Sequence, residues 1–94
     1  MVQRVERLPT LEDIRKHVAE TLSQLETLDP TRYQLSQHIL VRSGVPCGIH
    51  FCLHGPRAVQ LNAIWETDRN TILFYSSSGE RVGRTRVLAA PKMG

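Results

Sequence analysis

The most reactive side chains of this chain are concentrated in residues 47–54, which read CGIHFCLH and hold two cysteines and two histidines. A further histidine, His38, lies upstream. Imidazole nitrogens and thiolates are preferred zinc ligands, and a thiol beside an imidazole can also act as a nucleophile. Which chemistry is available depends on the backbone element that carries these side chains.

Residues 47–54 have the alternation of a β-strand, in which successive side chains point to opposite faces. On that reading His50 and Cys52 share one face, and His38 on the neighbouring strand joins them. Cys47 then lies on the other face, in the core. A metal site, if the chain has one, would use His38, His50 and Cys52. The alternative is that these are polar or half-buried side chains of an ordinary sheet surface.

Catalysis by this group lacks supporting residues in the sequence. Strand neighbours such as His50 and Cys52 project in parallel, and no orienting acid lies nearby. The chain has no glycine-rich phosphate loop, no nucleophile elbow and no metalloprotease motif. We therefore expect a binding module rather than an enzyme, and no cofactor.

Residues 11–28 are predicted to form the helix that supports this sheet. Thr10 and Asp13 have the spacing of a capping box, and Asp29 precedes a proline, where helices usually end. Apolar residues recur at intervals of three and four and cover about 120° of the helix circumference. They are Leu11, Ile14, Val18, Leu22, Leu25 and Leu28.

Beyond residue 30 the apolar period shortens to that of strands. Strands are predicted at residues 33–42, 45–53, 57–66, 71–77 and 80–88, the last being the weakest. The connections are too short for parallel crossovers, so the strands must form an antiparallel meander. The predicted fold is one α+β domain over residues 1–94, with an N-terminal helix packed on one face of a four- to five-stranded antiparallel β-meander.

The numbering of the apolar residues predicts the first hairpin turn. They are odd-numbered in both strands, so facing pairs must have an even sum, which requires a loop of odd length. A three-residue loop over residues 42–44, with Gly44 in the left-handed conformation, satisfies this condition and places Leu35 opposite Phe51.

Not all large apolar side chains of the predicted strands can lie on the face that the helix covers, so some must lie on the opposite face of the sheet. In strand 71–77 either the odd or the even residues join the core, depending on the length of the preceding turn. Exposed apolar patches usually mark an interface, so we predict a homodimer or another protein partner at this face. The predicted interface residues are Ile64, Ile72 and Phe74. Alternatively, the tail from Ala90 folds back and covers them.

Positive charge is concentrated in the second part of the chain, with a net charge of −2 over residues 1–30 and +5 over residues 31–94. Arg81, Arg84 and Arg86 lie in the last predicted strand. Guanidinium groups match phosphate oxygens, so nucleic-acid binding through these arginines is the alternative function. Charged side chains also protect edge strands, and an acidic protein partner would suit them as well.

The sequence indicates a cytoplasmic protein that does not engage membranes. No apolar run approaches the roughly 20 residues of a membrane-spanning helix. The first residues, MVQRVERLPTLED, lack the apolar stretch of a signal peptide.

Overall fold

The structure is a computed structural model that describes residues 2–29 and 32–91. Within these ranges the chain forms six strands, one α-helix and a single 3-10 turn at Pro56–Ala58. The helix α1 spans Leu11–Leu25. The strands are β1 (Val2–Arg7), β2 (Gln34–Arg42), β3 (Val45–His54), β4 (Gln60–Glu66), β5 (Thr71–Tyr75) and β6 (Arg81–Leu88). The predicted α+β class, with a helix near the N-terminus packed on a sheet, is confirmed.

The sheet has six strands and is mixed, so the prediction of four or five antiparallel strands was wrong. Its order is β1-β6-β5-β4-β3-β2, in which β2 to β6 form an antiparallel meander. The additional strand β1 pairs parallel to β6. Its sequence, VQRVER, gave no strand signal because Arg4 and Glu6 occupy positions on the helix side of the sheet, where an apolar alternation would place hydrophobic residues.

The helix begins at the predicted capping box and ends three residues before the predicted end. Thr10 Oγ1 accepts a hydrogen bond from the Asp13 backbone N–H at 3.1 Å, and the Asp13 carboxylate accepts one from the Thr10 N–H at 3.2 Å. At the other end Thr27 adopts a left-handed φ of 54°. The Leu28 N–H then bonds to the Ser23 carbonyl at 2.7 Å, which closes the helix in a Schellman motif. No helix in the described ranges is long and apolar enough to cross a membrane.

The core lies between α1 and the sheet face that it covers, hereafter the inner face. Ile14, Val18 and Leu22 on the helix are fully buried, in agreement with the predicted stripe. They pack against alternate residues of the four central strands. These are Ile49, Phe51, Leu53, Leu61, Ala63, Trp65, Ile72, Phe74 and Val87.

In the hairpin between β2 and β3, odd-numbered residues face each other as predicted, but the loop differs from the predicted one. Its turn has two residues, Ser43 and Gly44, with φ of 52° and 78°. A two-residue turn alone would put apolar residues of the two strands on opposite faces. A β-bulge in β3, in which Cys47 is the extra residue, restores the match, and Leu35 pairs with Leu53 rather than with Phe51.

The bulge is held by the first residue of the turn that follows β4. The Cys47 carbonyl accepts hydrogen bonds from the Thr67 N–H at 3.1 Å and from the Thr67 hydroxyl at 2.9 Å. Beside it, a Cβ atom on Gly48 would lie 2.3 Å from the Trp65 carbonyl oxygen, so that position requires glycine.

One polar contact joins the helix to the sheet interior. His17 Nε2 lies 2.8 Å from the hydroxyl of Thr85, which is 1% exposed, and the imidazole ring packs edge-on against Phe74 with ring centroids 5.9 Å apart. Burial lowers the pKa of His17, with a smaller contribution from Arg4, while Glu6 and Glu20 act in the opposite direction. The folded protein therefore favours the neutral imidazole.

We expect the protein to lose stability as the pH falls below about 6.5, the ordinary pKa of histidine. Below that pH the unfolded chain binds a proton at His17 more readily than the folded chain does, and the loss levels off once the pH passes the lowered native pKa. Urea unfolding of the wild type and His17→Gln at about pH 7.5 and 5.5 measures this effect. The variant should show a smaller difference in unfolding free energy between the two pH values.

Thr85→Val provides the control for this experiment, because it removes the hydroxyl partner and keeps the imidazole. It should be less stable than the wild type by about 1 kcal/mol at neutral pH and should retain a pH dependence that His17→Gln loses. An identical pH dependence in the wild type and His17→Gln would contradict the assignment to His17.

Candidate interaction surface

The sheet face opposite α1, hereafter the outer face, has no helix or strand packed against it in residues 2–29 and 32–91. Strand register arranges its side chains in rows across β4, β5 and β6. One row runs from Ile64 through Leu73 to Arg84. The neighbouring row runs from Glu66 through Thr71 to Arg86. Each row therefore begins with an apolar or acidic side chain and ends with an arginine.

The apolar part of the outer face is formed by Ile64, Leu73 and Tyr75, all of them half-buried. Ile64 is on this face as predicted. The placement of Ile72 and Phe74 there was wrong, because they are 0% and 2% exposed and lie in the core under the helix.

The physical reason for that error is the turn before β5. Thr67–Asn70 separates Glu66 from Thr71, and these two flanking residues pair with each other. This four-residue turn, one of the two lengths compatible with the sequence, directs the even-numbered side chains of β5 inward. Leu73 and Tyr75 consequently take the outer positions. Ala90 packs against the core, so it does not cover the outer face, and residues 92–94 of the tail lie outside the described residues.

Basic side chains occupy one end of the outer face. Arg84 and Arg86 are exposed on β6, and Arg81 is also exposed and pairs with Tyr75. The spacing from 81 to 84 is odd, but a register shift leaves Val82 without a partner and returns Arg81 to the outer face. Arg69, from the β4–β5 turn, joins Arg84 and Arg86 around a cavity of about 610 Å³. Gln3, Arg4, Val5 and Thr71 complete its lining, so no acidic residue lines it.

The histidines and Cys52 lie at the opposite end of the outer face, on β2 and β3. His38 pairs with His50, and their ring centroids are 6.5 Å apart. His50 Nε2 is instead 2.9 Å from Asn62 Oδ1, and His54 Nε2 is 3.0 Å from the Ser36 hydroxyl. The imidazoles of His50 and His54 are thus engaged with neutral polar neighbours across the strands, whereas His38 contacts the ring of His50.

The structure does not bring His38, His50 and Cys52 together as a set of three metal ligands. Among the described residues, no group of three histidine, cysteine, aspartate or glutamate side chains could hold a metal ion. Cys52 is 7% exposed, and burial raises the pKa of its thiol. The thiolate form that binds metal or attacks an electrophile is therefore disfavoured.

Cys47 was predicted in the core, and this placement was wrong. The bulge moves it out of the alternation, and it is half-buried beside an outer-face cavity of about 310 Å³. Leu40, Ile64 and Glu66 line the same cavity. Alternation alone could not locate Cys47, because a bulge inserts one residue without changing the composition of the strand.

Several residues of the outer face could not be identified from the sequence. Arg69 lies within a turn whose length was ambiguous and Thr71 directly follows it, so the sequence did not place either residue on this face. Glu66 was not identified either, because only its strand register places it in one row with Arg86. Comparison of the chain with protein-family models, with curated proteins and with solved structures found no match.

The different environments of the two cysteines predict different alkylation rates. Iodoacetamide should label half-buried Cys47 faster than buried Cys52 in the folded protein, because Cys52 is shielded and its thiol pKa is raised. Peptide mass spectrometry over a time course measures both rates in one sample. In denaturant the two rates should converge, and faster labelling of Cys52 in the folded protein would contradict this placement.

Proposed function

We propose that this chain is a small non-enzymatic protein-interaction module that self-associates through its outer face. The observation that carries the proposal is the outer-face apolar patch of Ile64, Leu73 and Tyr75, flanked by charges of opposite sign in register. A sheet usually buries both faces or presents a polar one to water, and apolar residues at the centre of an uncovered face favour a protein partner.

A second copy fits this face when the two-fold axis runs along β5. Rotation about such an axis keeps each row at the same height and exchanges β4 with β6. Leu73 and Tyr75 then meet their own counterparts, as expected at an isologous interface. Two sheets stacked at about 10 Å bring facing side chains into contact.

Charge complementarity supports the same axis. Rotation about the axis along β5 places Glu66 of each copy opposite Arg86 of the other, since both residues belong to the row through Thr71. It also places Ile64 against the aliphatic stem of Arg84. An axis perpendicular to the strands would instead stack β6 on β6 and bring arginines together, which costs free energy. The complementary arrangement thus favours a second copy over an unrelated partner.

A second candidate function is nucleic-acid binding through Arg69, Arg81, Arg84 and Arg86. None of these four guanidinium groups has a hydrogen-bonding or ion-pair partner in the described part of the chain. Unpaired arginines around an open cavity suit a phosphate backbone. The two functions respond differently to salt, because nucleic-acid affinity falls steeply with salt concentration whereas apolar sheet packing does not.

Leu73→Glu is expected to convert the dimer to a monomer, because it introduces two facing carboxylates at the centre of the interface. Sedimentation velocity at several protein concentrations measures the change, and circular dichroism verifies that the variant is folded. Ile39→Glu is the matched control, since Ile39 is 59% exposed on the helix side of β2 and lies outside this interface. A wild-type monomer, or a Leu73→Glu dimer, would disprove the proposed interface.

Charge reversal tests the orientation of the two copies within the same experiment. Glu66→Arg and Arg86→Glu should each weaken association by about tenfold, and the double variant should recover most of the loss. Equal effects of the single and double variants would show that these residues do not face each other.

A further inference from the structure

The edge strand β2 differs from the other edge of the sheet in its protection. Natural edge strands avoid pairing with other chains through charge, proline or short length. β1 carries Arg4, Glu6 and Arg7 within six residues. β2 is nine residues long and has one formal charge, Arg42, at its end. Its exposed residues include Ile39 at 59% and Val41 at 60%.

The backbone N–H and C=O groups of β2 that point away from β3 include those of Ile39 and Val41, whose side chains are also exposed. Val41 pairs with Pro46, which has no N–H to donate, so the Val41 backbone groups are directed to the open side of the strand. Because this direction alternates along an antiparallel strand, Ile39 also presents its N–H and C=O outward. Unpaired hydrogen-bonding groups and exposed β-branched side chains therefore coincide at Ile39 and Val41.

The helix covers only the first part of this edge. Arg15 on α1 donates to the Leu35 carbonyl at 3.2 Å and to the Gln37 side-chain amide oxygen. The Leu35 carbonyl belongs to an odd-numbered residue and points away from β3, in agreement with the outward direction inferred for Ile39 and Val41. Beyond Gln37, no described residue pairs with the open side of β2. A groove of about 350 Å³ between α1 and β2, lined in part by Ala19, Tyr33 and Leu35, runs beside the capped part.

We propose that the open part of β2, residues 38–42, binds an extended peptide of another protein by β-strand addition. The backbone of the peptide would supply the missing strand, as in other sheets that recruit a peptide at an edge. Apolar side chains at alternate positions would contact Ile39 and Val41. Arg42 is exposed and without an acidic partner in the described ranges, so an acidic residue at the end of the peptide complements it.

The choice of a peptide over a second copy rests on the proposed function. An antiparallel β2–β2 contact has its two-fold axis perpendicular to the sheet, at the edge. The outer-face dimer has its axis along β5, three strands away, so the two axes do not meet. Two isologous interfaces with non-intersecting axes generate an open polymer rather than a closed assembly. A soluble module that uses both surfaces therefore needs a different molecule at β2.

The test uses ¹⁵N-labelled full-length protein and a synthetic peptide, acetyl-Glu-Val-Thr-Val-Thr-amide, followed by amide chemical-shift changes. The largest changes should fall on residues 38–42. Ile39→Glu should weaken binding by about tenfold or more, because it opposes a charge to an apolar side chain. Val5→Glu is the matched control, since Val5 is 62% exposed on the opposite edge strand, and it should bind the peptide like the wild type.

Two further probes separate the parts of the proposal. Proline in place of the first peptide valine removes a backbone N–H and should abolish the changes. Glutamine in place of the glutamate should weaken binding about threefold in the wild type and not in Arg42→Ala.

The outcomes separate this inference from the proposed dimer. Shift changes that are absent, or centred outside residues 38–42, overturn the peptide site whatever the oligomeric state. A Leu73→Glu protein that still dimerises, and becomes monomeric when Ile39→Glu is added, identifies a second copy as the occupant of β2. That result would overturn both proposals. Peptide binding to a wild-type monomer would uphold the peptide site and overturn the outer-face dimer.

Discussion

The structure depends on one helix covering a sheet that is wider than the helix. An α-helix with its side chains is about 10–12 Å across, whereas six strands spaced at about 4.8 Å span about 24 Å. The apolar stripe of Ile14, Val18 and Leu22 therefore covers the central strands and leaves part of each edge strand uncovered. Edge residues on the inner face are accordingly polar, as at Arg4 and Gln37, or apolar and exposed, as at Ile39. The exposed part of edge strand β2 and the uncovered outer face have the same cause, because the described chain has one helix and that helix covers only the centre of one sheet face.

The parts of the fold that follow from local periodicity could be predicted from the sequence. The capping box at Thr10, the helical stripe and a strand in each of five predicted ranges all depend on residues close together in the chain. The parity of the apolar residues also indicated correctly that the first hairpin must match odd with odd. It could not distinguish a three-residue loop from a two-residue turn with a bulge, because both satisfy the same constraint.

The features that sequence could not supply are those decided by long-range contacts. β1 is an edge strand with polar residues on its inner face, so its sequence lacks the apolar alternation of a buried strand. The inward direction of Ile72 and Phe74 depends on one residue of turn length. The chemistry of residues 47–54 likewise depends on neighbours in other strands, because His50 contacts Asn62, which is 12 positions away.

The parallel pairing of β1 with β6 also affects how the chain folds during synthesis. Val2 pairs with Gly83, so the first strand has no partner until the last strand has left the ribosome. Such distant contacts carry a large loop-closure cost and form late, whereas a capped helix and short hairpins form early. The charged side chains of β1 protect it while it is unpaired, because a charged strand resists pairing with other nascent chains. The sheet is then completed only when both β1 and β6 are present.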